Sequence, residues 1–131
     1  MNENNVKVDF IRASVFDLPY SPNFFDIIID YGLLHHFRKS QWNKYLKNIL
    51  KVIKPEGYFC LHCFSTNAEY LKPKNRNWAL IGKHYSHFFS EPELQSFFGK
   101  HFNILEVHKS KHRRRDINKK LELLDVYMQR K

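Results

Sequence analysis

Apolar and polar residues alternate at period two through Val6-Lys7-Val8-Asp9-Phe10-Ile11-Arg12, the mark of a half-buried strand. No tight hairpin follows. Leu18-Pro19-Tyr20-Ser21-Pro22-Asn23 is a turn-rich connector with two prolines. Asp26 to Asp30 then encloses three consecutive isoleucines, and such a β-branched run predicts a central parallel strand covered on both faces. After it, Trp42, Tyr45, Leu46, Ile49, Leu50 and Ile53 recur at helical spacing, with Ser40 as the expected N-cap. Lys51 and Lys54 complement the negative end of this helix, and Pro55 is expected to stop it. A strand from Tyr58 to Phe64 completes a strand-helix-strand unit with a right-handed crossover.

From Ser65 to Phe89 the chain carries Asn, Lys, Pro and Arg with scattered aromatics, Tyr70, Trp78 and Tyr85. Its helical periodicity is weak, and 65–89 reads as a lid or insertion within a single domain spanning 1–131. Ser90-Glu91-Pro92-Glu93 is a capping box with Pro in the first turn, opening a short helix that ends at Gly99. Phe102 to Val107 and Leu123 to Met128 read as two strands flanking a basic stretch from Lys109 to Lys120.

Composition narrows this picture. Hydrophobic residues make up 43% and aromatics 16%, with twelve phenylalanines, which excludes a disordered chain and predicts a Phe- and Ile-rich core. The net charge of +9 favours acidic partners without selecting one. No apolar run approaches the ~20 residues that span a bilayer, and the start lacks a basic-then-apolar secretory leader, so the expected compartment is the cytoplasm, away from any membrane. Cys60 and Cys63 have C-x-x-C spacing but lie in a strand, where residues three apart face opposite ways; the expectation is two buried free thiols. His84-x-x-His87 lacks the further ligands of a metal centre, and no metal is expected.

Phe25-Asp26-Ile27-Ile28-Ile29-Asp30-Tyr31-Gly32-Leu33-Leu34-His35-His36, followed by Lys54-Pro55-Glu56-Gly57-Tyr58-Phe59, resembles the middle of a class I S-adenosylmethionine-dependent methyltransferase. The two histidines after Asp30-x-Gly are similar to the small-molecule, thiopurine-type subgroup. The resemblance implies an α/β, Rossmann-like sheet of spatial order 3-2-1-4-5-7-6 with flanking helices, its last strand antiparallel. Val6 to Ala13 would match the third strand, Asp26 to Asp30 the fourth, Tyr58 to Phe64 the fifth, and the two C-terminal strands the sixth and seventh. Strands one and two have no counterpart, and four glycines, Gly32, Gly57, Gly82 and Gly99, leave no Gly-rich cofactor loop. Glu56 replaces the family's usual Gly, a change that a negative φ at that turn position would tolerate.

By the same resemblance, the cofactor S-adenosylmethionine would meet Ser14, Val15 and Phe16, aligned with the family's "Asp-Ala-x-x-Leu-Pro-Phe", and Asp30, Tyr31 and Gly32 at the end of a central strand. Ser14 stands where the family places an acid, so its contact to the adenine amino group lacks charge assistance. His35 or His36 is the candidate general base, competing with a plain role in orienting the turn.

Three functions compete. The first is methyl transfer to a small-molecule acceptor. The second is an inactive fragment whose strand at Ile27 to Ile29 has an unpaired apolar edge, needing a missing N-terminal half, a partner chain or self-association. The third is a nucleic-acid module using Lys109 to Lys120, which lacks aromatics for base stacking and more simply forms a solvated hairpin tip.

Overall fold

The computed structural model describes residues 5–67, 77–114 and 119–131, and the side chains of these except 112–114 and 119–120. Four strands form the main sheet: β1 (Phe25–Tyr31), β2 (Ile53–Phe64), β5 (Phe102–Arg114) and β6 (Lys119–Arg130). Their spatial order is β1-β2-β6-β5, with β1 parallel to β2 and β6 antiparallel to both neighbours. This is the expected 4-5-7-6 portion of the methyltransferase sheet. Helices α1 (Trp42–Val52) and α2 (Glu91–Phe98) flank the sheet, and a separate hairpin pairs β3 (Trp78–Ile81) with β4 (His84–His87). Among the described residues no helix is long and apolar enough to cross a membrane.

Period two in β2 decides where the core sits. Phe59, Leu61 and Cys63 point to one face and are at most 1% exposed, where they meet Tyr45, Leu46 and Ile49 of α1 and Leu94 and Phe98 of α2. Leu124, Val126 and Met128 of β6 join the same cluster. On the other face, Phe64, Leu121 and Leu123 form a smaller cluster with Ile81 and Phe88 of the hairpin region. Beyond that cluster no described element covers the second face. Ile27, Ile29 and Tyr31 are 57%, 69% and 79% exposed, next to Tyr58 and Tyr127.

Several expectations change here. Residues 6–13 form no strand and are exposed throughout, with Phe10 90% open to solvent. The family's third strand is built on the second, and without that neighbour the alternating pattern has no ladder to join. The three isoleucines therefore belong to an edge strand covered on one face. Ile28 packs on the core while its two neighbours face outward.

The strand after α1 begins at Ile53, five residues before Tyr58, so Pro55 lies within β2 and the helix has already ended at Val52. Its last carbonyls are met by the amides of Asn23 and Phe24, which donate to Lys51 and Val52 at 3.0 and 2.9 Å. Pairing with β1 is irregular between Phe25–Ile53 and Ile27–Tyr58. In that excursion Glu56 takes φ +64°, so the tolerance expected from a negative φ does not apply, and the left-handed backbone costs about 1 kcal/mol. Gly57 beside it is required by space, because an added Cβ would lie 2.9 Å from the Lys54 carbonyl and 3.0 Å from that of Asp26. Lys54 reaches back to Asp26 at 3.0 Å on the surface.

Ser40 is not the cap of α1. It lies inside a 3-10 turn, Lys39–Gln41, whose Gln41 side chain accepts the Arg38 amide at 3.2 Å. Ser90, by contrast, caps α2 as expected, accepting the Glu93 amide at 3.3 Å with Pro92 in the first turn. Of the 65–89 insertion, 68–76, including Tyr70, lie outside the described residues; the rest supplies the hairpin. The basic strands are longer than their apolar cores suggest, because β5 and β6 pair as far as Arg114 and Lys119. Residues 115–118 of that basic stretch lie outside the described residues. Both thiols are free, but only Cys63 is buried; Cys60 is half-buried on the second face.

Candidate functional site

The end of β1 is shaped by one carboxylate. Asp30 lies on the inward side of the strand, and its oxygens accept the Leu33 amide at 2.7 Å and the Leu34 amide at 3.1 Å. The Tyr45 hydroxyl donates to the same carboxylate from α1. Gly32 turns the chain with φ +91°, a conformation that disfavours any Cβ. A 3-10 turn, Leu34–His36, follows at once. Burial first, and then the adjacent Asp30 carboxylate, push the Tyr45 phenol well above its ordinary pKa.

Beside this turn is a cavity of about 500 Å³, bounded by the Ile11–Tyr20 segment, the outer side of β1 and helix α1. Its wall is apolar, with Val15, Leu18, Ile28 and Leu33 among its residues. It runs along the open edge of β1 from Phe25 to Tyr31 and reaches Leu33 past the strand's carboxyl end, the usual ligand position in open α/β sheets.

The predicted site residues divide around it. Val15, Asp30 and Tyr31 line the cavity. Ser14 is exposed in a tight turn, where its hydroxyl accepts the Phe16 amide at 3.1 Å, and Phe16 packs on Phe37 with ring centres 4.7 Å apart. His35 is 3% exposed and lies flat on Phe64, with ring centres 4.1 Å apart and planes 8° apart. His36 turns away from the cavity toward β4, within 3.0 Å of the Ser86 hydroxyl.

Sequence reasoning missed a third histidine. His62 stacks on Tyr31 at 4.2 Å and 10°, and its Nδ1 lies 2.5 Å from Asp125 Oδ1. A carboxylate can only accept, so Nδ1 is the donor of this contact, and in the neutral ring Nε2 is then the acceptor. The pair lines a groove of about 320 Å³ on the bare face, and Ile29, Asp30 and Tyr31 line both groove and cavity. His62 and Asp125 are 63 residues apart, so only the β2–β6 register brings them together. Cys60 shares this groove, and its thiol is pushed up by desolvation and then by Asp125, away from thiolate chemistry. Among the described residues no group of His, Cys, Asp or Glu could hold a metal ion.

The sequence model of a methyltransferase domain matches residues 1–61, which include the β1 turn, α1 and most of β2. Over those residues the chain is similar to a methyltransferase domain. No curated protein matches the chain. Solved structures extend the likeness over almost all of it. The 1,6-didemethyltoxoflavin-N1-methyltransferase of Burkholderia thailandensis, solved with 1,6-didemethyltoxoflavin and S-adenosylhomocysteine, is 22% identical with a TM-score of 0.71; the match covers 92% of this chain and 50% of that one. An S-adenosylmethionine-dependent methyltransferase from Methanosarcina mazei is 20% identical with a TM-score of 0.75, covering 94% and 67%. The [4+2]-cyclase SpnF is 14% identical with a TM-score of 0.67, covering 92% and 56%. The methyltransferase fold is thereby shown, and this chain spans half to two-thirds of the length of these structures. The cyclase among them shows that the fold by itself does not fix the chemistry.

The cavity fits the methyltransferase cofactor at one end only. Its apolar wall suits a flat adenine ring. The one carboxylate on that wall, Asp30, already accepts two amides and a phenol, so no described lining residue offers a free acid for ribose hydroxyls or a cation for a carboxylate.

Proposed function

We propose that this chain supplies the carboxyl-end wall and acceptor side of an S-adenosylmethionine-dependent methyltransferase acting on a small molecule. The observation that carries the reading is the 500 Å³ cavity along the open edge of β1 and reaching its carboxyl end, in a sheet whose strand order is the family's. The Burkholderia neighbour, solved with a small-molecule substrate and the demethylated cofactor, supports the substrate class. Val15 and Tyr31 would border the adenine end, while Ser14, Phe16 and Gly32 do not line the cavity. His35 is the packing piece of the turn. His62, oriented by Asp125, is better placed than His35 to accept a proton from an acceptor.

The polar half of the cofactor calls for a further strand beside β1, whose outer edge is open among the described residues. A partner chain or a second copy could supply it, and cytoplasmic residence accords with this reading. Calorimetry with S-adenosylhomocysteine tests the whole reading. The chain alone should give no measurable heat, and adding a Gly-rich strand-helix-strand half should produce binding. Micromolar binding by the chain alone would overturn the incompleteness, and no binding with the added half would sink the methyl-transfer reading.

A further inference from the structure

A second pocket, of about 300 Å³, opens between the turn after β1 and the β3–β4 hairpin, lined by His36, Arg38, Trp78, Lys83, His84 and Tyr85. It shares no lining residue with the larger cavity. Four of its six lining side chains are basic or can become so, and none is acidic. Arg38 and Lys83 enter no ion pair among the described residues, so nothing described offsets their charge at close range.

Rings back the hairpin wall, while His36, Arg38, Lys83, His84 and Tyr85 are exposed. Trp78 and Tyr85 stack at 5.5 Å and 12°, and Trp78 is held in turn by Trp42 at 6.1 Å and by the edge of His87 at 4.5 Å. Ser86 is fully buried and its hydroxyl holds His36 Nδ1 at 3.0 Å, while the His36 and His84 rings lie 5.0 Å apart. A guanidinium fork and an ammonium next to the outer face of Tyr85, which is 58% exposed and backed by Trp78, match one ligand chemistry, a ring that carries an anionic group. The pocket's size suits a small ligand and not a polymer.

We infer that this pocket binds a small aromatic anion, with Arg38 and Lys83 taking the charged group and Tyr85, backed by Trp78, the ring. The assignment goes beyond the methyl-transfer reading and does not depend on it. Tryptophan fluorescence of the full chain tests it, with Trp78→Phe separating the signal of Trp78 from that of Trp42. Benzoate or phenyl phosphate should quench saturably, and whichever binds more tightly tells a carboxylate ligand from a phosphate one. Arg38→Gln/Lys83→Gln should bind roughly tenfold more weakly or worse, with an unchanged circular dichroism spectrum. Benzamide, which lacks the charge, and inorganic phosphate, which lacks the ring, should each be weaker by a similar factor. Equal binding of benzamide or of inorganic phosphate, an unaffected double variant, or no saturable quenching would each overturn the assignment. Calorimetry with S-adenosylhomocysteine on the same sample keeps the two readings apart, since its failure leaves the anion result standing.

Discussion

The helix side of the sheet buries Phe59, Leu61, Cys63, Val126 and Met128 almost completely, whereas the other side leaves Ile27 and Ile29 57% and 69% exposed. Both sides use the same strands, so residue type does not separate them. What separates them is the presence of α1 and α2 on one side and, on the other, a hairpin that covers only the Phe64 end. Hydrophobicity on a strand reports what a face can bury, and the neighbouring elements decide whether it does.

Truncation should expose the difference most strongly. Phe59→Ala ought to cost about 3–5 kcal/mol in urea denaturation, because it opens a cavity among Phe98, Phe102 and the helices. Ile29→Ala should stay within about 0.5 kcal/mol. If Ile29→Ala costs as much as a core truncation, the bare face is covered in solution and the comparison fails.

Carboxylates sharpen the contrast at a smaller scale. Asp30→Asn places an amide group against two amide donors and a phenol, and should cost about 2–3 kcal/mol. Asp125→Asn, at a half-open site beside His62, should cost about 1 kcal/mol or less. Equal costs from the two would mean that the His62–Asp125 pair is as buried in solution as the β1 turn.

The two thiols give the mildest test. Desolvation first, and then Asp30, Asp125 and Glu93, push the Cys63 thiol far above its ordinary value of 9.0, and Tyr45 is raised alongside it. A raised acid holds its proton in the folded chain after the unfolded chain has lost it. Stability from these groups is therefore complete below the ordinary values and declines as pH rises above about 9. Denaturation midpoints measured from pH 7 to pH 11 should fall, and Cys63→Ala should flatten the fall. Thiol labelling at neutral pH should modify Cys60 in the folded chain and Cys63 only upon unfolding. Labelling of both at one rate would contradict the burial difference.

How much was legible in the sequence depended on the range of the cause. The cap of α2 was readable because Ser90, Pro92 and Glu93 act within one turn. The strands at Asp26 and Tyr58 and the Trp42–Ile53 periodicity were readable for the same local reason. Val6 to Arg12 has an equally clear period and forms no strand, since a ladder needs a partner that the described residues do not provide. Ser40 looked like a cap, but the preceding 3-10 turn moved the helix start past it. The φ of Glu56 follows from the way the chain leaves α1 and enters the ladder with β1.

The turn at Asp30 and Gly32 was legible from its place at a strand end. The division of His35 and His36 into a packed ring and a pocket ring was not, because it depends on Phe64 and Ser86, which come from later elements. The His62–Asp125 pair could have been suspected only by aligning β2 and β6, which requires the register in advance.

The order β1-β2-β6-β5 carries one more consequence, for how the molecule opens. Among the described residues, β2 and β6 are hydrogen-bonded on both sides, while β1 and β5 each face one neighbour. Amide exchange with deuterated solvent should therefore be slowest in the middle of the sheet and quicken outward, fastest along the unpaired side of β1. The strand that shapes the cavity is also the one whose backbone meets water first.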